Sequence, residues 1–199
     1  MNKQARTDFP IHELIANRWS PYGFADRPVA QAELCSLLEA ARWAPSSYNE
    51  QPWSYILATK EDPAAFAKLL SCLVEGNQSW AQAAPVLLLC CTSLHFSRNG
   101  KPNTAALHDL GLAAGNLCLE ATARGLAVHQ MIGIEPEKSR ELYSIPEGVQ
   151  PLTAMAIGYA ADPAELSDKL AERDTTPRQR KSLSEFVFAG QWGESASLS

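Results

Sequence analysis

The stretch Pro45-Ser46-Ser47-Tyr48-Asn49-Glu50-Gln51-Pro52-Trp53 separates two segments of opposite periodicity. Before it, residues 28–43 place Leu34, Leu37, Leu38 and Ala41 at i, i+3, i+4 and i+7, an amphipathic helix that Pro45 forbids from continuing. After it, residues 53–59 read as a strand. The connection is polar, and its prolines limit the backbone. Its hydroxyl and amide groups stand beside an aromatic ring. A flat heteroaromatic ligand needs polar groups around its rim and apolar contact on its faces. An ordinary turn also uses serine and asparagine, but seldom so densely.

Toward the N-terminus, residues 8–17 read as a short helix with Ile11, Leu14 and Ile15 on one face. Asp62-Pro63 opens another helix as an N-cap followed by a first-turn proline. The apolar run 85–92 has strand length and implies a strand covered on both faces. Residues 103–124 form the longest helical pattern, with Gly111, Ala113, Ala114, Gly115 and Cys118 as small residues that admit a closely packed helix, from this chain or from a second copy. Gly125 caps it. Residues 126–134 and 152–159 read as strands, and 136–143 and 164–172 as helices. Helices interleaved with strands place the chain in the α+β or α/β classes, around one mixed sheet. No internal repeat is present.

The 199 residues suit one domain with a sizeable core, at 46% hydrophobic and 20% charged content. A net charge of −5 provides no basic field for nucleic acid or anionic membrane. The N-terminus carries Lys3, Arg6 and Asp8 with no apolar core behind them, and no apolar run spans a bilayer. The five cysteines (Cys35, Cys72, Cys90, Cys91 and Cys118) lack Cys-x-x-Cys spacing and fall in stretches that read as core helix or strand. The expectation is a reduced, cytoplasmic protein without a disulfide framework or zinc site.

Three further stretches can carry chemistry. In Arg18-Trp19-Ser20, a guanidinium fork and a hydroxyl two residues apart can reach one phosphate. Gln130-Met131-Ile132-Gly133 ends a buried strand, where ligand sites often lie and glycine permits close backbone approach. Arg178-Gln179-Arg180-Lys181 is a basic cluster able to complete a phosphate site begun by Arg18. Singly, each also suits a solvated arginine, a strand end or a charged surface.

Taken together and in this order, the stretches resemble the FMN-dependent nitroreductase superfamily over nearly the whole chain. Arg18-Trp19-Ser20 matches its Arg-x-Ser element, and residues 45–53 match its Pro-Ser-Ser-x-Asn-x-Gln-Pro-Trp loop without a gap. Asn77 with Trp80, Asp109 with Gly111, Gly125-Leu126, Ile145-Pro146, Gly158-Tyr159, and Arg178 with Arg180 resemble further family landmarks. The resemblance implies an α+β nitroreductase-like fold with a central, mostly antiparallel sheet flanked by helices. Residues 1–199 would be a single FMN-binding domain in an entwined homodimer, with the tail from about 175 to 199 reaching across. It implies non-covalent FMN, with Arg18, Trp19, Ser20, Arg178 and Arg180 at its phosphate and ring edge. Ser46, Ser47 and Asn49 would come from the other subunit, Pro45, Gln51 and Asn77 would join the cofactor site, and the backbone of Gln130, Met131, Ile132 and Gly133 would lie beside the flavin nitrogen that carries hydride. Tyr48, His95 and Phe96 are candidates for the substrate pocket. The activity implied is ping-pong transfer from NAD(P)H through FMN to a nitro compound, quinone or activated alkene, with no obligate catalytic side chain or metal.

Two other classes compete. An FMN-binding protein or a flavin-modifying or dehalogenating relative would present the same cofactor residues; the short segment 94–103 is the place where it would differ. A hydrolase has no Gly-x-Ser-x-Gly elbow here, and the neighbours His108 and Asp109 are expected to point apart on their helix. His12 and His129 fall where a hydrogen-bonded structural histidine is expected. No Gly-x-Gly-x-x-Gly occurs, so NAD(P)H would be a transient substrate.

Overall fold

The strand covered on both faces is Val86–Ser93 (β2), and it lies inside the sheet. In the computed structural model, which describes residues 3–198, Trp53–Thr59 (β1), Ala127–Met131 (β3) and Val149–Gly158 (β4) complete a sheet of order β1-β2-β4-β3. All three pairings run antiparallel. Where β4 carries Pro151, which has no N–H to give the ladder, the register slips between Cys90 and Cys91.

Alternation along β2 divides the core in two. Val86, Leu88 and Cys90 face Gln31–Arg42 (α2) and Ala106–Ala123 (α5), through Leu34, Leu37, Ala113 and Leu117. Leu87, Leu89 and Cys91 face the opposite layer, where Phe66 and Leu69 of Pro63–Leu70 (α3) and Trp80 of Glu75–Ala81 (α4) are buried. The expected helices over 28–43 and 103–124 are therefore present as α2 and α5, slightly shorter at each end. Asp62 caps α3 with its side chain, as its position before Pro63 foretells.

Other expectations are corrected. The first helix spans only Glu13–Asn17 (α1), because the His12 ring caps it by accepting from the Leu14 N–H. β3 stops at Met131: residues 133–135 instead meet 72–74, the Gly133 carbonyl accepting from the Val74 N–H. The helix at 136–143 is present as Pro136–Tyr143 (α6). The helix expected at 164–172 is broken at Leu166, whose side chain packs on Gly23 so closely that a Cβ there would lie 2.5 Å from it. Helical backbone resumes only at Asp168–Thr175 (α7). The helix α4 was not foreseen; no side chain caps it and Gly76 weakens its pattern. In α5 the inward small residues are Ala113 and Ala114, whereas a Cβ on Gly111 or Gly115 would meet nothing within 4 Å.

Cys35 departs from the expected core thiols: it lies on the outer face of α2 and is exposed, while the other four cysteines are buried. Burial pushes the Cys90 thiol up to about 12 and Cys91 to about 11. Thiolate is the reactive form, so the native chain should titrate one fast thiol with an aromatic disulfide reagent and five after denaturation. A second fast thiol in the native protein would contradict this packing.

Candidate functional site

The first half of the site begins where α1 ends. Arg18 leaves the helix in extended backbone and its Nη1 donates to the Ser20 Oγ at 3.2 Å. Arg178 reaches back to the same segment, its Nη1 donating to the carbonyls of Ala16 (2.7 Å) and Lys3 (3.0 Å). Burial, and then the neighbouring charges of Arg18 and Arg180, hold Arg178 below the usual guanidinium range. Lys3 adds a fourth cation 4.8 Å above the Trp19 ring, and burial lowers its ammonium pKa. Among the described residues no carboxylate forms an ion pair with Arg18, Arg178 or Arg180. Three guanidinium groups gathered without a counter-ion suit a phosphate, whose oxygens accept from such planar forks.

Beside this cluster is the end of β3. The Gln130 Nε2 donates to the Cys118 Sγ at 3.3 Å, and Cys118 is also close enough to Arg18 for that charge to act on its thiol. Net of both effects, burial still raises the Cys118 pKa. Met131 turns into the core, and Ile132 next to it is 74% exposed. The Asn77 side-chain amide donates to the Gly133 carbonyl at 3.0 Å, and a Cβ at 133 would lie 2.5 Å from that amide. Asn77 thus braces the turn at 132–134, and glycine is what lets the two approach.

The second half is the loop at 45–51. Ser47–Asn49 is a single 3₁₀ turn, and Tyr48, Asn49 and Gln51 all have left-handed backbone, with φ of 54°, 56° and 52°. Such a conformation costs an L-residue about 1–2 kcal/mol, least for asparagine. What holds it is visible: buried Asp109 accepts from the Ser47 N–H at 2.9 Å, the Gln51 N–H donates to the Ser46 Oγ at 3.0 Å, and Glu50 accepts from the Ser97 N–H. The expectation that His108 and Asp109 point apart is corrected, since His108 Nδ1 lies 3.2 Å from Asp109 Oδ1. The exposed imidazole bends back over the buried carboxylate, and among the described residues no serine hydroxyl is hydrogen-bonded to that ring. Pro45, Ser46, Ser47, His108, Asp109 and Leu112 line a groove of about 370 Å³. At its side Tyr48 and Phe96 meet edge to face, ring centroids 5.7 Å apart, under the Arg98 guanidinium. His95, expected with them, is exposed and lies against Gly148.

The two halves are anchored at different points of one helix. Asp109 holds the loop and Cys118 marks the cation cluster on the same helix, nine residues apart, which is about 14 Å along α5. None of Arg18, Ser20, Gln130 or Arg178 lines the groove beside the loop. Sequence reasoning missed the residues that set this geometry. Asp109 was legible only as part of a family landmark. Lys3 and Asp174 gave no signal, because each acts through contacts with distant segments, whereas His129 is the hydrogen-bonded structural histidine its position suggests, its Nδ1 2.8 Å from the Pro21 carbonyl. Among the described residues no cluster of His, Cys, Asp and Glu is arranged to hold a metal ion, and no helix is long and apolar enough to cross a membrane.

Known proteins resemble this chain in fold and sequence. A solved structure described as an oxidoreductase containing FMN superposes with a TM-score of 0.89 at 35% identity, covering 96% of each chain. An uncharacterised 15.4 kDa protein of Mycolicibacterium smegmatis is 36% identical over 64% of this chain and 84% of its own length. The FMN reductase [NAD(P)H] of Bacillus subtilis (strain 168) is 29% identical over 75% of this chain and 65% of its own. The family model described as "Nitroreductase family" matches residues 15–159. With that match over most of its length, and with a four-stranded antiparallel sheet between helical layers, the chain belongs to the nitroreductase family.

Proposed function

We propose that the protein is an FMN-dependent oxidoreductase that uses NAD(P)H, with two sites formed between two copies of the chain. The observation that carries this reading is the cluster of guanidinium groups of Arg18, Arg178 and Arg180 beside the end of β3, which form no ion pair among the described residues. The FMN reductase [NAD(P)H] and the FMN-containing oxidoreductase among its relatives support the cofactor and the reductant. When bound, FMN supplies hydride acceptance from NAD(P)H and electron donation to an electron-poor acceptor such as a nitro compound, quinone or activated alkene. The chain's own part is binding and orientation. Arg18, Ser20, Arg178 and Arg180 hold the phosphate, and the backbone from Gln130 to Gly133 presents donors to the ring edge. Ser46, Ser47 and Asn49 reach the ring from the other copy. Tyr48 and Phe96 offer an aromatic wall to a flat acceptor, and the reductant and acceptor use this one face in turn. No side-chain acid or base is required, because reactivity arises from holding the reacting atoms in place.

A second copy is supported by surface that one chain leaves uncovered. Trp192 is 90% exposed, Phe186 and Ile132 are exposed, and Gly111 and Gly115 leave open space along α5. The free thiols suit the reduced cytoplasm. The test is a visible absorption spectrum of freshly purified protein, with subsequent denaturation to identify any released chromophore. One FMN per chain, bleached by NADH or NADPH without oxygen, is the expected result. A colourless protein that takes up no added FMN would overturn the reading.

A further inference from the structure

Asp174 is the last buried residue of α7, 1% exposed, and both its oxygens are engaged. The Tyr22 N–H donates to Oδ1 at 2.8 Å and to Oδ2 at 3.1 Å, and the Gly23 N–H donates to Oδ2 at 2.9 Å. A carboxylate taken out of water persists only where hydrogen bonds replace its hydration, and here backbone donors of a distant segment supply them. The same segment is gripped from its other side by His129, whose Nδ1 lies 2.8 Å from the Pro21 carbonyl. A carbonyl only accepts, so that nitrogen carries the proton. Burial lowers the His129 pKa, and the ring packs against Tyr22 and Trp80.

The place of this clamp gives it meaning. Residues 21–23 come directly after Arg18 and Ser20. The chain leaving Asp174 reaches Arg178 four residues later and Arg180 six residues later. Arg178 then bonds back to the Ala16 carbonyl. Two segments from opposite ends of the sequence, each bearing guanidinium groups that repel one another, are thus tied just beside the point where those groups meet. We propose that Asp174 is a positioning residue for the phosphate of the flavin, fixing the Arg18–Ser20 segment against the Arg178–Arg180 segment before any ligand arrives. The carboxylate touches neither phosphate nor ring; its contribution is that the cradle is assembled in advance, which spares binding the cost of ordering it.

This inference rests on the cofactor assigned above, and a phosphate-free flavin separates the two. The full-length chain, stripped of flavin, is titrated with FMN and with riboflavin by fluorescence quenching, for the wild type, Asp174→Ala and Asp174→Asn. The expected result is a roughly ten- to hundredfold weaker FMN affinity in Asp174→Ala with riboflavin affinity changed less than about threefold, the equivalent of losing one charge-assisted contact to phosphate. Asp174→Asn should lie between, since its amide oxygen still accepts from one N–H, and it carries the test alone if the alanine variant fails to fold. Equal weakening of both flavins would mean a general structural role and overturn the proposal, as would unchanged FMN binding. A wild type that binds neither flavin would overturn the cofactor assignment itself, and the proposal with it.

Discussion

Replacing Arg18 by alanine will strip the protein of flavin and leave it folded. The guanidinium makes one side-chain bond within the chain, to the Ser20 Oγ, so the fold loses little. It also repels Arg178, so its removal relieves a neighbour that burial already disfavours. A phosphate held by this fork would lose at least one charge-assisted hydrogen bond worth roughly 1.5–3 kcal/mol, a complex weaker by about ten- to hundredfold or more. The measurement is the ratio of flavin to protein after dialysis, read beside the denaturant midpoint. Full flavin content in the variant would remove Arg18 from the phosphate site.

Mixing damaged subunits will restore what neither retains alone. One chain carries Arg18→Ala; the other carries Ser47→Ala together with Asn49→Ala, which leaves the Ser47 N–H to Asp109 bond in place because that bond uses the backbone. In the proposed dimer of two like chains, each variant alone then has two impaired sites. If every site draws the cation cluster from one copy and the loop from the other, the mixed dimer has one site with both lesions and one with none. Isolated with two different affinity tags, it should hold about half the wild-type flavin. Flavin content as low as in the two parents would place both halves in the same chain's site, against the separation of about 14 Å along α5.

Much of this was legible in the sequence because the signals were local. β1, α2, α3, β2, α5 and α6 were each announced by periodicity or by a proline or glycine at one end. The Pro45–Trp53 motif and Arg18 were legible because their chemistry is carried by neighbouring residues. What escaped depends on contacts between distant segments. Leu166 breaks a helix that its own neighbours favour because Gly23 leaves room for it. Met131 ends β3 because 133–135 are claimed by 72–74. Asp174 looks like any acidic residue on a short polar helix until Tyr22 and Gly23 are found against it. His108 and Asp109 met where helix geometry alone sends neighbours apart, because a flexible exposed ring can fold back.

The left-handed backbone at Tyr48 and Gln51 bears on how this sequence drifts over generations. Glycine at either position would relax the chain without emptying the core, for Tyr48 is 73% exposed and Gln51 is exposed as well. Mutation therefore has an easy, stabilising exit that only a need for those side chains closes. A descendant that no longer bound its ligand would be expected to take that exit early, while its buried strands stayed unchanged. Glycine at 48 and 51 in otherwise similar chains would accordingly mark lineages in which the fold has outlived its chemistry.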